Sequence, residues 1–208
     1  GTRTARAVWK TIDIYRPIQR FDEGLPEIGF LDTYKNEIAA YELDKLLDLG
    51  FVPPTVERTI DHEPGSMQLW VEGCITEGER FKRQLQPPDA LAWSNQVYAI
   101  RLFRQLIYDA DYRNASNILC DDAFRLWSVD HSRAFRTQPK VLNTEFLRRF
   151  SRDLLERLRR LDDDQLERHL SPWLTKTQRK SLLARRDIIL EHAEKVIAER
   201  GEKATLYP

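Results

Sequence analysis

A short polar segment contains most of the residues that could carry out chemistry. Within Tyr108–Phe135, the side chains of Asp109, Asp111, Asn117 and Asp130 surround two short apolar runs. Carboxylate and amide oxygens are suitable ligands for Mg²⁺, which usually binds few protein groups together with phosphate oxygens. A further carboxylate can orient a hydroxyl group or accept its proton. The segment therefore predicts a site that combines a divalent metal with a carboxylate base.

The two apolar runs of this segment predict a β-hairpin. Its strands are expected at Ile118–Cys120 and Leu126–Val129. Asn117 directly precedes the first strand and Asp130 directly follows the second. Because the two ends of a hairpin lie side by side, both side chains are expected to reach one metal ion.

Transfer of a phosphoryl group also needs a cation that faces the phosphates, commonly a lysine fixed by a glutamate. Lys10 lies in an alternating segment, Ala5–Ile14, that predicts a strand. Glu37 lies in the first turn of a predicted helix that runs to about Leu49. We expect Glu37 to pair with Lys10, while Glu42, which lies nearer the apolar stripe of this helix, is the alternative partner.

The remaining elements are predicted from turn residues and apolar periodicity. "YRPIQRFDEGLPEIGF" has two prolines and two glycines and predicts a loop. Two strands around "HEPG" predict a hairpin, and "EGERFKRQLQPP" predicts a polar connector. Asp32 or Thr33 is expected to cap the first helix, and Asp89 a long apolar helix to about Ile107. Further helices are predicted from Phe146, Phe150, Leu154 and Leu158, from a helix start at Asp162–Asp164, and from Leu182, Ile189, Ala193, Val196 and Ile197.

This order of elements predicts an α+β protein with two lobes. A small lobe of antiparallel strands with one helix is expected at 1–72, and a helical lobe that carries the hairpin at 73–208. The polar segment lies at their junction, and clefts between lobes are preferred positions for ligand sites.

Composition narrows the possible functions. Of 208 residues, 33 are Lys or Arg and 33 are Asp or Glu, so the net charge is zero. Without a basic excess, we expect no nucleic-acid partner. No apolar run approaches the roughly 20 residues of a membrane span, and we expect a cytoplasmic protein. Cys74 and Cys120 form no C-x-x-C motif, and His131 has no Cys/His cluster around it, so neither predicts a redox or zinc site.

Two long stretches resemble a known family. "NEIAAYELDKLLDLGFVPPTVERTID" and "DADYRNASN … VDHSRAF" resemble the secretory-pathway (Golgi casein kinase) family of atypical kinases. The HipA-like and phosphatidylinositol 3/4-kinase-like kinases are its wider relatives. The resemblance covers roughly Ala5 to Phe135, and "AVWK" resembles the kinase strand motif V-A-I-K.

The resemblance implies a two-lobed protein-kinase-like fold of a small bacterial type. It implies an ATP- and Mg²⁺- or Mn²⁺-dependent phosphotransferase that acts on a hydroxyl group of a protein Ser/Thr, a sugar or a small molecule. By this resemblance Asp111 is the base, Lys10 binds phosphate, and Glu37 pairs with Lys10 or reaches the metal. The nucleotide contacts are Lys10, Trp70 and Glu72, and the metal ligands are Asn117 and Asp130.

Two departures from the family pattern leave alternatives open. The family has the acid directly before the arginine, whereas here Tyr112 lies between Asp111 and Arg113. Asp109 is therefore an alternative base, and a nucleotide-binding pseudokinase or a kinase-fold enzyme that transfers AMP are alternative functions. The family's glycine-rich phosphate loop is not evident before Lys10, which leaves two alternatives open: part of the small lobe is missing from this sequence, or the small lobe is reduced.

Overall fold

The N-terminal part of the chain consists of strands and one helix in the computed structural model, which describes residues 4–22 and 25–208. The elements are β1 (Ala7–Lys10), β2 (Asp13–Gln19), β3 (Glu27–Thr33), α1 (Tyr34–Leu46), β4 (Thr55–Ile60) and β5 (Glu63–Leu69). β1, β5 and β4 form an antiparallel sheet in that order, and β2 pairs with β3 in a separate antiparallel ribbon.

The rest of the chain is mainly helical. Its elements are β6 (Ile75–Thr76), α2 (Glu77–Lys82), α3 (Ala90–Leu106), β7 (Ile118–Cys120), β8 (Leu126–Ser128), β9 (Phe150–Ser151), α4 (Arg152–Arg160), α5 (Asp163–Leu170), α6 (Lys176–Arg200), α7 (Glu202–Thr205) and β10 (Leu206–Tyr207). β6, β7 and β8 form an antiparallel sheet, and β9 pairs in parallel with β10. The mixed α/β class and the hairpin at Ile118 are as predicted, and the 1–72 and 73–208 boundary stays a prediction.

Side-chain caps fix the ends of the helices that frame the cleft. Thr33 accepts a hydrogen bond from the backbone N of Lys35 at 3.3 Å, and Asp89 accepts from Leu91 N and Ala92 N at 2.9 Å. Such caps satisfy backbone donors that have no partner inside the helix. The predicted caps at Thr33 and Asp89 are confirmed.

The predicted loop "YRPIQRFDEGLPEIGF" is wrong over most of its length, because β2 and β3 form there. Pro17 is tolerated since the ribbon has no third strand to require its N–H. Gly29 takes a φ of +67°, a conformation that glycine adopts without strain. The single strand predicted at Ala5–Ile14 is likewise divided into β1 and the start of β2.

Two further predictions are wrong in the helical part. The polar connector contains α2, because the side chain of Thr76 accepts from Glu79 N at 3.1 Å and starts a helix. The apolar repeat that began at Phe146 is not one helix. Ser151 caps α4 by accepting from Leu154 N, so Phe150 lies in β9 and Phe146 precedes it.

Helix α6 is bonded to the centre of the molecule through a buried arginine. The guanidinium of Arg185, fully buried, donates to the carbonyl oxygens of Leu106 at 2.7 Å, Arg136 at 3.0 Å and Gln138 at 2.5 Å. Burial lowers the pKa of Arg185 to about 10, which leaves it charged at neutral pH. The segment after Asp130 is therefore fastened to a helix about 50 residues later in the chain.

No helix in the described part of the chain is long and apolar enough to cross a membrane.

Candidate active site

Lys10 is the point at which the two parts of the chain meet. Its Nζ atom donates to Glu37 Oε1 and to Asp130 Oδ1, both at 2.6 Å. Burial opposes the charge of this lysine, but the carboxylates of Glu37 and Asp130 outweigh burial and raise the pKa of Lys10. The strand lysine, the helix glutamate and the aspartate after the hairpin thus form one ion-pair group.

Glu37 is held on both of its oxygens. Oε1 accepts from Lys10, and Oε2 accepts from the backbone N of His131 at 3.0 Å. The side chain is almost fully buried, so it positions Lys10 instead of facing solvent. Glu42, the alternative partner, pairs with Lys45 on the same helix.

The close approach of β1 to β5 depends on a glycine. A Cβ atom on Gly65 would lie 2.8 Å from the ring of Trp9, which is closer than side chains normally pack. The absence of this atom lets β1 lie against β5 with Lys10 directed toward Glu37.

Asp130 and Asn117 flank the hairpin as predicted. Asp130 has a φ of +62°, a left-handed conformation that aspartate tolerates better than most residues. Its side chain is 48% exposed, whereas Asn117 is buried. The backbone N of Val129 donates to Asn117 O at 3.0 Å, and this bond joins the two ends of the hairpin.

A cavity of ≈ 300 Å³, here called the front cavity, opens beside these groups. Residues from both lobes line it: Val8, Lys10, Gln68, Leu69, Trp70, Val71, Ser116, Asn117, Leu119, Val129 and Asp130. Besides Lys10, the predicted nucleotide contact Trp70 and the predicted metal ligands Asn117 and Asp130 therefore line this cavity. Glu72 is not among the described lining residues and instead forms an exposed ion pair with Arg6.

Asp109 and Asp111 have different surroundings. Asp109 is buried, accepts from Arg104 Nε at 2.5 Å and lies 3.6 Å from His131 Nδ1. Burial opposes its charge, but His131 and Arg104 outweigh burial and lower the pKa of Asp109. It also accepts from Asp111 N at 2.9 Å, so it fixes the backbone of the loop.

Asp111 is partly open to solvent. Burial raises the pKa of its carboxyl group, the charge of Arg133 opposes this, and the charges of Asp109 and Asp130 add to it. Arg133 Nη1 donates to both oxygens of Asp111, at 3.0 and 3.3 Å, and Nη2 donates to Glu27 Oε2 at 2.8 Å. Asp111 therefore lies within range of the charge of Asp130 and is joined through Arg133 to Glu27 of the β2–β3 ribbon.

Tyr112 turns away from this site. Its ring packs against Phe146, with centroids 6.1 Å apart, and its hydroxyl accepts from Arg113 Nε at 2.9 Å. Tyr112 is not among the described residues that line the front cavity, and neither is Asp111. The roles assigned to Asp111, Lys10, Glu37, Asn117 and Asp130 stay predictions.

Sequence reasoning missed two residues that position the site. Asn36, fully buried in α1, donates through Nδ2 to Ser132 O and Ala134 O, both at 2.8 Å. Arg133 joins Asp111 to the ribbon. The sequence around Asn36, which directly precedes Glu37, indicates only that a helix begins there. The residues next to Arg133 in the sequence do not indicate its contacts.

Comparison with protein-family models and with curated proteins finds no match. Solved structures do match. A structure of Fam20 from hydra with sugar is 16% identical and has a TM-score of 0.67; the match covers 100% of this chain and 82% of that one. A crystal structure of the Golgi casein kinase is 14% identical and has a TM-score of 0.62, covering 97% of this chain and 70% of that one. The chain therefore has the two-lobed, kinase-like fold of the Fam20 and Golgi casein kinase structures.

Proposed function

We propose that the protein is an ATP- and Mg²⁺- or Mn²⁺-dependent phosphotransferase that moves the γ-phosphate to a hydroxyl group. The observation that carries this proposal is the simultaneous contact of Lys10 Nζ with Glu37 and Asp130. These three residues come from a strand, a helix and the segment after a hairpin, and they meet at the front cavity. A lysine in this setting can neutralise phosphate charge without leaving its acidic partners.

The front cavity suits a nucleotide. Its apolar wall is made by Val8, Leu119 and Val129, and Trp70 adds an aromatic face at the rim. Such a wall can pack against a purine base, while Lys10 lies where phosphates would extend. Trp70 is 46% exposed, and the guanidinium of Arg6 lies over its ring at 5.2 Å from the centroid, so a ligand would meet the part of the ring that Arg6 leaves open.

The donor set suits Mg²⁺ or Mn²⁺ held together with phosphate. Asp130 offers a carboxylate with one oxygen that has no hydrogen-bond partner among the described residues, and Asn117 offers an amide oxygen. No group of three His, Cys, Asp or Glu residues in the described part of the chain could hold a metal ion. Bound here, the ion would neutralise charge on the transferred phosphate, with phosphate oxygens and water as its remaining ligands.

Asp111 is the best-placed acceptor of the hydroxyl proton. It is partly exposed, and burial raises its pKa toward the range in which a carboxylate acts as a base. Asp109 is unsuited because Arg104 and His131 surround it. Of the two similar structures, one is described with sugar and the other is a casein kinase, so sugar and protein hydroxyl groups are the first acceptors to test.

One contact favours a second candidate, a nucleotide-binding pseudokinase that regulates a partner. Arg133 bonds both oxygens of Asp111, and this ion pair must loosen before Asp111 can engage a hydroxyl group. If it does not loosen, the chain binds nucleotide without transferring phosphate.

Incubation with ATP labelled at the γ or the α position separates these functions. Label from γ-ATP on protein or sugar, dependent on Mg²⁺ and absent in Asp130→Ala, supports phosphotransfer. Label from α-ATP alone would show AMP transfer instead. Metal-dependent nucleotide binding with neither label transferred would support the pseudokinase, and no nucleotide binding would contradict the whole proposal. The expected cytoplasmic location stays a prediction that cell fractionation can test.

A further inference from the structure

A second cavity lies on the other side of the loop that carries Asp111. This back cavity has a volume of ≈ 290 Å³. Ala115 and Ile118 line it, whereas Asn117 and Leu119 line the front cavity. Ile118 and Leu119 are successive residues of β7, and because successive side chains of a strand point to opposite faces, the start of β7 forms a wall between the two cavities.

The back cavity has an apolar body. Val97 and Ile100 of α3, Leu126 of β8, Ile118 and the ring of Phe146 form its walls. Its volume is at the lower end of the range of small-molecule pockets, about 300 to 1,000 Å³. The space therefore suits a compact apolar group, such as one aromatic ring with a short chain.

The charges around the back cavity are mainly positive. Arg101, Arg104 and Arg113 line it, and Glu77 is the one acid in the lining. Arg80 already neutralises Glu77 through bonds of 2.6 and 2.8 Å. Arg101 and Arg113 form no ion pair within residues 4–22 and 25–208. Because Arg104 pairs with Asp109, the uncompensated positive charge comes from Arg101 and Arg113, and it favours an anionic ligand.

Arg104 contributes a buried donor without an acceptor. Its side chain is 2% exposed; Nε donates to Asp109 and Nη2 to the carbonyl oxygen of Asp111 at 3.1 Å. Nη1 is buried and has no hydrogen-bond partner in the described part of the chain. Buried donors normally have a partner, and leaving one unpaired is costly. A ligand oxygen would supply the missing acceptor.

We propose that the back cavity binds a small amphipathic carboxylate, with its apolar part between α3 and Phe146 and its carboxylate directed to Arg104 and Arg101. Arg104 also holds the side chain of Asp109 and the backbone of Asp111. The ligand therefore contacts the residue that positions the candidate base. Binding is independent of the proposed phosphotransfer, whereas any effect on turnover rests on it.

The test measures binding of 4-phenylbutanoate by calorimetry, with the neutral 4-phenylbutan-1-ol as a matched probe. We expect the carboxylate to bind wild type at least about tenfold more tightly than the alcohol, the scale of one charge-assisted hydrogen bond. Amide NMR signals of Tyr112 to Ala115 should shift on binding. Arg101→Gln should weaken binding about tenfold, and Arg168→Gln, an exposed arginine on α5, should leave it unchanged.

A variant that fills the cavity locates the binding. Val97→Phe should abolish binding of 4-phenylbutanoate, while the shift in melting temperature caused by Mg²⁺ and ADP shows whether the variant is folded and its front cavity intact. If Val97→Phe does not fold, Arg101→Gln, which changes an exposed residue, still decides the question. Absence of binding to wild type, equal affinity for the alcohol, or binding that neither variant weakens would each overturn the proposal. Failure of ADP binding alone would count against the proposed function and not against this site.

Discussion

The two cavities on either side of the loop from Asp109 to Asn117 have nearly the same volume but opposite chemistry. Lys10, which also bonds the buried Glu37, and Asp130 line the front cavity. Arg101, Arg104 and Arg113 line the back cavity, where Arg104 pairs with Asp109 and the acid Glu77 pairs with Arg80. By the two proposals above, the front cavity would take a metal ion with phosphate, and the back cavity would take a carboxylate directly. The charged residues of the two cavities come mainly from different elements: Lys10 from β1 and Asp130 from the segment after β8, but Arg101 and Arg104 from α3.

The two acids of Asp109–Ala110–Asp111 show the same division at the scale of single residues. Asp109 is surrounded by Arg104 and His131 and holds the loop, while Asp111 is partly exposed near Asp130. Two aspartates two positions apart thus have different surroundings, since one is buried in ion pairs and the other is partly exposed.

Loss of Asp130 should have the largest effect on activity. In Asp130→Ala, Lys10 keeps Glu37, but the candidate metal site loses its carboxylate. We expect turnover to fall about a thousandfold or more, as when a transition state loses a main electrostatic contact. The Mg²⁺-dependent rise in melting temperature with ATP should also disappear while the protein without ligand stays folded. A full metal-dependent rise in Asp130→Ala would contradict the assignment.

Substitution of the two neighbouring acids should separate their roles. Asp111→Asn should lower turnover about a hundredfold or more with little change in nucleotide affinity, because it removes a positioned base. Asp109→Asn breaks a buried ion pair and should lower the free energy of unfolding by about 3 kcal/mol or more. Chemical denaturation and turnover are measured on both variants. If Asp109→Asn keeps its stability and Asp111→Asn keeps its activity, the roles assigned to these two acids are wrong.

The pH dependence of turnover should report the ion pair between Arg133 and Asp111. A base works without its proton, so activity is lost as pH falls through the pKa of Asp111. Burial raises this pKa and Arg133 lowers it, so Arg133→Gln should raise the pKa further and move the acidic limb of kcat/KM to higher pH. Arg168→Gln serves as the control. An unchanged acidic limb in Arg133→Gln would show that another group sets it.

The smallest effect is expected at Tyr112. Tyr112→Phe keeps the ring on Phe146 and removes the bond from Arg113 to the hydroxyl oxygen. Because this bond is exposed and lies away from Asp130, turnover should change about twofold or less. A much larger loss in steady-state assays would mean that the hydroxyl group acts on the front side of the loop.

Elements with local signals were predictable from the sequence. The caps at Thr33 and Asp89 and the alternation in β7 and β8 lie within a few residues of the structures they specify. The ribbon of β2 and β3 was not predictable from the sequence. Pro17 and Gly29 give the local pattern of a loop, whereas the ribbon depends on pairing between its strands, such as Ile18 with Ile28.

The residues of the candidate site also differ in whether the sequence could predict them. The side chains that flank recognisable motifs, such as Asp130 and Glu37, could be named from residue order. Arg133 could not, because its partners Glu27 and Asp111 are distant in sequence, the first by 106 positions and the second by 22. The Nη1 atom of Arg104 could not either, since an unpaired donor is visible only when all neighbours are placed.

The bonds from Arg185 can form only late in the synthesis of the chain. The carbonyl oxygens of Arg136 and Gln138 obtain these bonds only after the chain has been made as far as α6. Until then, the segment that follows Asp130 has its bonds to Asn36 and Glu37 but lacks those from α6, although every candidate residue of the front cavity has already been synthesised. A nascent chain that ends before α6 would therefore contain the complete set of site residues without the bonds that Arg185 supplies.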